Sequence, residues 1–301
     1  MPAVTPPTVR PATMTPDRRL RILGWFAVFG SALCFYLATA IIHWGGAYVR
    51  IDAAFYTFAR FVLGFVVVCV GMAAQGQRPS CTRVHYIIGR TVTNAVAVYC
   101  FYKAVDVSTV ASANILNMTY PLFVALFSWV TIRSQRDGFA VVVVLVASLG
   151  VWLILAPDGA STLQWRNVWG LLSGFFAAIS IIYLNLSRRC HDSQSILFFM
   201  FGPGAVLMLP FLHGSLFVPN RLESFFLLAC SGVGVLGQYL LTYGFLSVTA
   251  VEGSVISASR ILIAALLGPL LVSDPPLTAS GWIGALILFA ANMALALRAS
   301  K

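Results

Sequence analysis

Long apolar blocks alternate along this chain with short polar interruptions. The blocks fall at 23–43, 53–73, 86–103, 108–131, 139–156, 167–186, 195–213, 224–244, 249–271 and 281–297. Runs such as 138–156 (GFAVVVVLVASLGVWLILA) and 281–297 (GWIGALILFAANMALAL) are long enough to cross the hydrocarbon core of a bilayer as helices. They lack the strict alternation of a barrel strand, and lipid offers no partners to bare peptide groups, so each block is expected to be helical. The pattern therefore predicts an all-α polytopic membrane protein with ten transmembrane helices and almost nothing left over for a soluble domain. Residues 1–22 are polar and rich in Pro and Arg. The apolar stretch behind them is longer than a signal-peptide core and lacks a small-x-small cleavage site, so it reads as a retained first span behind a cytoplasmic tail.

Composition agrees. Only 9% of the 301 residues are charged and 59% are hydrophobic, whereas about a quarter of a soluble domain is charged. The net charge of +10 suggests a nucleic-acid partner until its distribution is examined. With the N-terminus in the cytoplasm, inside segments carry Arg10, Arg18, Arg19, Arg21, Arg78, Arg83, Arg133, Arg136, Arg188, Arg189, Arg298 and Lys301. Outside loops carry Arg50, Lys103, Arg166 and Arg221. Twelve basic residues against four obey the positive-inside rule and put both termini in the cytoplasm. The charge is a topological device, and no nucleic acid is expected. The six cysteines form no CxxC pair and the four histidines (His43, His85, His191, His213) are scattered near span ends, so neither a metal site nor any other cofactor is expected.

A weak internal repeat gives the chain its plan. Residues 99–121 read YCFYKAVDVSTVASANILNMTYP and residues 240–262 read LLTYGFLSVTAVEGSVISASRIL. In register, Tyr102 falls on Tyr243, Val107 on Val248, Val110 on Val251, Ala113 on Ser254 and Asn117 on Ala258. In each copy an aromatic-ended helix stops, a tight polar connection follows, and a helix rich in small residues begins. The match joins spans three and four to spans eight and nine. Five spans per copy is odd, so the second copy enters the membrane inverted. The expected units are 23–156 and 167–298, two inverted five-helix repeats of the kind that cradle a substrate near the bilayer midplane. Pro121 is expected to kink the fourth span, and Gly202, Pro203 and Gly204 to kink or loosen the seventh.

Polar groups at membrane depth are costly and mark candidate sites. Asn114, Asn117 and Pro121 share a stripe on the fourth span, with Tyr120 near the same face. Either a substrate or a neighbouring helix would take their hydrogen bonds. The ninth span carries Glu252 and Arg260, about 12 Å of helix rise apart. Arg260 suits a substrate carboxylate or the neutralisation of Glu252, and Glu252 suits an ammonium group or a titrating gate. Arg60 lies within the second span, as ligand or anchor. Arg90, nearer the inner surface, reads as a snorkelling anchor. Phe35, Tyr36, Tyr99, Tyr102, Tyr183, Tyr239 and Tyr243 are placed to form an aromatic wall around a central space. No phosphate loop, metal ligand set or activated nucleophile emerges, so the chain is not read as an enzyme, and any driving force must come from a gradient or a coupled ion such as the proton.

The segments FYTFARFVLG (55–64), YIIGRTVTNAVAVYCFYKAVDVSTVASANILNMTYPLFVALFSWV (86–130) and YGFLSVTAVEGSVISASRILIAALLG (243–268) resemble the EamA type of the drug/metabolite transporter superfamily, over roughly 20–298. The resemblance implies a ten-helix inverted-repeat carrier of the inner membrane whose cavity is lined by spans one, three, four, six, eight and nine. Family members export amino acids and other small metabolites, and related branches carry nucleotide sugars or triose phosphates. Two departures stand out. The acidic residue that follows the fourth-span signature in many members is displaced here to Asp137 in TIRSQRDG, and the ninth-span end GPLLVSDPP lacks the usual Glu. The expected function is export of small metabolites, amino acids or related amphipathic compounds, by alternating access in a chain that works as a monomer among membrane lipids. A carrier of phosphorylated metabolites or nucleotide sugars stands beside it, as does a membrane scaffold or receptor.

Overall fold

A computed structural model describes residues 18–131, 138–155, 165–188, 190–212, 217–248 and 250–298. The tail before Arg18, the 132–137 connection with Asp137, and His213 lie outside the described residues, as does the side chain of Glu252. The described chain holds eleven α-helices: α1 (Arg18–Gly46), α2 (Ala53–Ala74), α3 (Val84–Val107), α4 (Val110–Asn117), α5 (Tyr120–Thr131), α6 (Gly138–Leu155), α7 (Val168–Ser187), α8 (Ser193–Met208), α9 (Arg221–Ser247), α10 (Ala250–Leu271) and α11 (Ala279–Arg298). Among the described residues, six helical stretches are long and apolar enough to cross a membrane. Large apolar side chains such as Phe26, Val70, Leu145, Leu149 and Leu270 are exposed on helix flanks, the arrangement a bilayer solvates and water does not. The molecule is an all-α polytopic membrane protein.

Local chemistry starts the helices where they start. Asp52 accepts the Ala54 N–H ahead of α2, Thr109 the Ser112 N–H ahead of α4, and Asp192 the Ser195 N–H ahead of α8. Asn220 and Glu223 close a reciprocal capping box on α9. Each satisfies a donor that the first turn of a helix leaves unpaired.

The fourth apolar block is two helices, not one kinked helix. It breaks between Asn117 and Tyr120, just before Pro121, which supplies no N–H where the new helix begins. The break is repaired by side chains. Asn292 of α11 donates to the Met118 carbonyl at 3.0 Å, and Thr119 Oγ1 donates to the Leu116 carbonyl at 2.7 Å. The seventh block keeps its helix across Gly202, Pro203 and Gly204. Helix α8 runs on through Pro203 and only tightens to a 3₁₀ turn at Leu209–Leu212. Its glycines serve close packing: the Phe61 and Phe65 rings of α2 lie where Cβ atoms on Gly204 and Gly202 would be, and Phe201 fills the corresponding space at Gly64 of α2.

Packing follows a paired scheme. Helix α1 lies along α9 and α3 along α7, while α2 meets α8, α6 meets α11, and α4 meets α10. Every one of these contacts joins a helix before residue 156 to one after 164, so the two halves interlock rather than sit side by side. Close crossings are built on small residues, as tight helix contacts in lipid require. A Cβ on Gly284 would stand 2.5 Å from the Gly150 carbonyl oxygen, and one on Gly24 2.9 Å from the Ser247 Cβ.

Candidate functional site

Between the halves lies a cavity of about 120 Å³. Helix α1 contributes Ser31 and Phe35, α2 Arg60, α3 Arg90, Asn94 and Phe101, the α4–α5 break Asn117, Met118 and Tyr120, α7 Ser180, α9 Gln238, and α10 Ser257 and Arg260. The lining draws on α1–α5 from the first half and on α7, α9 and α10 from the second, so the cavity lies between the interlocked halves.

Three guanidiniums define the site. Arg60, Arg90 and Arg260 are 4%, 4% and 5% exposed. Arg60 donates from Nη1 to the Tyr102 hydroxyl at 3.1 Å and lies over the Phe35 ring at 5.3 Å. Gly234 of α9 makes room for it, since a Cβ there would be 3.2 Å from Arg60 Cδ. Arg260 donates from Nη2 to Asn117 Oδ1 and lies over Phe35 at 5.7 Å and Phe101 at 5.4 Å. Arg90 donates to Ser180 Oγ and, at 3.7 Å, to Met200 Sδ. All three are held by neutral groups. No carboxylate lines the cavity among the described residues; the Lys103–Asp106 pair, at 2.8 Å, lies toward the surface and away from it. Among the described residues, the Nε atoms of all three arginines are buried without a hydrogen-bond partner. Such donors want an acceptor.

The structure brings some of the sequence candidates together and separates others. Arg60, Asn117, Tyr120 and Arg260 line the cavity. Asn117 also donates to Ser173 of α7 at 2.8 Å, so it bridges α7 and α10 through one amide. Asn114 is fully buried elsewhere and clamps α4 to α1, donating to Thr39 Oγ1 at 2.9 Å. Tyr102 stands behind Arg60 and does not line the cavity. Tyr99 packs edge-on against Trp169 and beside Phe211, away from it. Tyr239 and Tyr243 stack on each other at 6.1 Å and line a separate groove with Leu23, Gly24 and Ala27 of α1. Tyr243 accepts a hydrogen bond from Gln194 at 2.7 Å. Of the aromatic wall only Phe35 reaches the cavity, joined by Phe101. Glu252 lies in the first turn of α10, with its side chain outside the described residues.

Arg90 is the largest departure from the sequence reading. It does not reach the surface as an anchor but turns inward onto Ser180. A charged residue inside an apolar block was the available signal; its nearness to the block's end obscured it. Asn94 and Gln238 were also missed, as ordinary polar residues in spans with no periodic stripe to mark them.

The halves are tied at both ends. At one, Asp274 accepts the Ala111 N–H at the start of α4 at 3.0 Å, and Trp44 Nε1 donates to the Leu271 carbonyl at 2.8 Å. Ser273 holds a left-handed backbone, φ 55°, which turns the chain so that Asp274 reaches α4. At the other, His191 Nε2 accepts the Thr82 N–H at 3.0 Å and Ser195 Oγ accepts the Ser80 N–H at 2.9 Å.

This geometry has relatives. A solved crystal structure shares the fold with a TM-score of 0.60 over 94% of this chain and 99% of its own, at 18% identity. The pseudopaline exporter CntI of Pseudomonas aeruginosa is 31% identical over 201 residues, covering 66% of this chain and 70% of its own length. An uncharacterized transporter of Helicobacter pylori J99 is 26% identical over 217 residues, covering 70% of this chain and 72% of its own. The sequence profile of the EamA-like transporter family matches twice, over 22–156 and over 164–297. With nearly the whole chain covered, the protein belongs to the EamA-like transporter family: it is not an enzyme but a secondary transporter of small organic molecules, multi-pass in the bacterial inner membrane.

Proposed function

We propose that the protein exports small amphipathic metabolites bearing a carboxylate, amino acids or close relatives of them, by alternating access through the cavity between its halves. The observation that carries this reading is the set of three buried arginines that, among the described residues, are held by neutral groups, two of them over Phe35 and Phe101. Guanidiniums bind carboxylates through paired N–H donors, and the aromatic faces suit an apolar body. In this reading Asn117, Tyr120, Arg60, Arg90 and Arg260 contact substrate. Asn114, Tyr99, Tyr102, Tyr239 and Tyr243 support helices around it. The name of the Pseudomonas relative, an exporter, supports the direction of transport.

The architecture that goes with it is ten spans in two inverted five-helix repeats, 23–156 and 167–298, with both termini cytoplasmic and a single chain as the working unit. The double match of the family profile supports the repeats. So does the pairing of α1 with α9 and α3 with α7, which exchange under the 141-residue register. The excess of basic residues in alternate loops supports the orientation. Proton coupling, if the carrier uses it, falls to Glu252.

A second reading has one specific observation in its favour. Arg90 joins Arg60 and Arg260 in the cavity, which brings the cationic density nearer to what a phosphorylated metabolite needs. Efflux of radiolabelled amino acids and of phosphorylated metabolites from proteoliposomes, with and without an imposed pH gradient, separates the two. Saturable efflux of the first group alone supports the exporter; saturable efflux of the second alone replaces it. Loss of saturable efflux for both groups, beside an active control carrier, removes the carboxylate reading.

A further inference from the structure

The proposed function accounts for one anionic group on the substrate, but the cavity holds more cationic capacity than one carboxylate uses. We infer that the substrate carries at least two separated carboxylates, gripped at different points of the cavity; the inference rests on the carboxylate-exporter reading. Arg60 and Arg260 are gathered on one aromatic ring, at 5.3 and 5.7 Å from Phe35. Arg90 is anchored apart from them, on Ser180 of α7 and Met200 of α8. The cations therefore form two stations rather than one cluster.

Each station has donors to spare. Arg60 and Arg260 each spend one terminal nitrogen on a neutral partner and Arg90 spends both, and each leaves its Nε buried and, among the described residues, unpartnered. A buried cation without a counter-charge is costly, and three in one cavity repel each other as well. An organic anion with two or more carboxylates removes both costs, whereas one carboxylate relieves a single station and leaves the other uncompensated. The cavity also lacks, among its described residues, a carboxylate to receive a substrate ammonium. An overall zwitterion is therefore matched at only one of its ends. Phe35, Phe101 and Val98 leave an apolar stretch for the carbon chain that joins the charged groups. A phosphate monoester concentrates its charge on one group and suits one station, not two.

The test is a matched series in proteoliposomes of the full chain: radiolabelled glutamate against glutamine, and citrate against glycerol 3-phosphate, a phosphate monoester without a carboxylate, read as initial rates of counterflow. The expected result is a preference of about tenfold or more for glutamate over glutamine, the ratio that loss of one charged hydrogen-bonded contact produces. Citrate should compete with glutamate. Arg90→Gln should collapse the glutamate preference, raising KM for glutamate by a much larger factor than KM for glutamine, and Arg90→Lys should restore part of the preference. Equal transport of glutamate and glutamine overturns the two-station inference and leaves the carboxylate exporter standing. Preference for glycerol 3-phosphate overturns it in favour of a single phosphate. If none of the carboxylates moves while glycerol 3-phosphate also fails, the exporter reading falls and this inference with it. The comparison of substrates in the unaltered protein decides the matter even if the Arg90 variants do not fold.

Discussion

A guanidinium held only by neutral groups in a membrane protein is costly, and its retention needs a reason beyond the fold. Arg260 illustrates the distinction. Its Nη2 bonds Asn117 and its Nε bonds nothing. Replacing a buried charge by an apolar residue of similar volume is often neutral or stabilising. Arg260→Met should thus melt at or above the wild-type temperature in detergent and yet lower transport at least ~10-fold. Thermal unfolding and proteoliposome efflux on the same preparation check both halves; a variant that unfolds early would assign Arg260 to the scaffold. A pH response belongs to Asp274. Burial holds its carboxyl above the ordinary value of 3.8, against the opposing pull of the Ala111 N–H and of His43. A carboxyl raised in the folded state contributes its stability fully below the unfolded value and loses it as pH rises through the folded one. The melting temperature of the wild type relative to Asp274→Asn should therefore be highest below pH 3.8 and decline above it. A melting series across that window that climbs instead would show the latch to be electrostatically favourable when charged.

Helices pair here through holes as much as through side chains. The α6–α11 crossing is the clearest instance, because the obstacle to a side chain at Gly284 is the backbone oxygen of Gly150 at 2.5 Å from the would-be Cβ. Backbone cannot swing aside as a rotamer can. Gly284→Val should cost about 1–3 kcal/mol by overpacking, measured as a lowered midpoint of thermal unfolding; an unchanged midpoint would mean the crossing is loose. The α4–α5 break makes a second demand. It frees the Met118 carbonyl, and Asn292 supplies the donor from α11. Asn292→Leu keeps the volume and removes the donor, so it should cost about 1–3 kcal/mol for the unsatisfied acceptor. Because the break also presents Asn117 and Tyr120 to the cavity, the same variant should impair substrate affinity, which equilibrium binding would register as a raised Kd.

For the whole molecule, orientation is the property most open to a simple measurement. A C-terminal green fluorescent fusion should be fluorescent and a C-terminal alkaline phosphatase fusion inactive, as the loop charges require; the opposite pair would invert the topology. Over their described residues the apolar blocks fall on helix, the fourth of them on two helices, and the apolar pattern determined that much unaided. Lipid forbids unpaired peptide groups, so a long apolar run has few structures available to it. The caps at Asp52, Thr109, Asp192 and Asn220 are local chemistry that the apolar pattern by itself does not mark. Which face of each helix turns inward was not legible, because an apolar span offers lipid and protein nearly the same surface. Asn114 and Asn117 are one turn apart and equally polar, yet one clamps α1 and the other faces the cavity. Arg90 looked like an anchor until α7 and α8 supplied Ser180 and Met200. Tyr239 and Tyr243 looked like cavity walls and belong to another groove. The tertiary structure alone decided these, since the interlocking of the halves through close glycine crossings, and no local preference, brings Arg60, Arg90 and Arg260 around a single space.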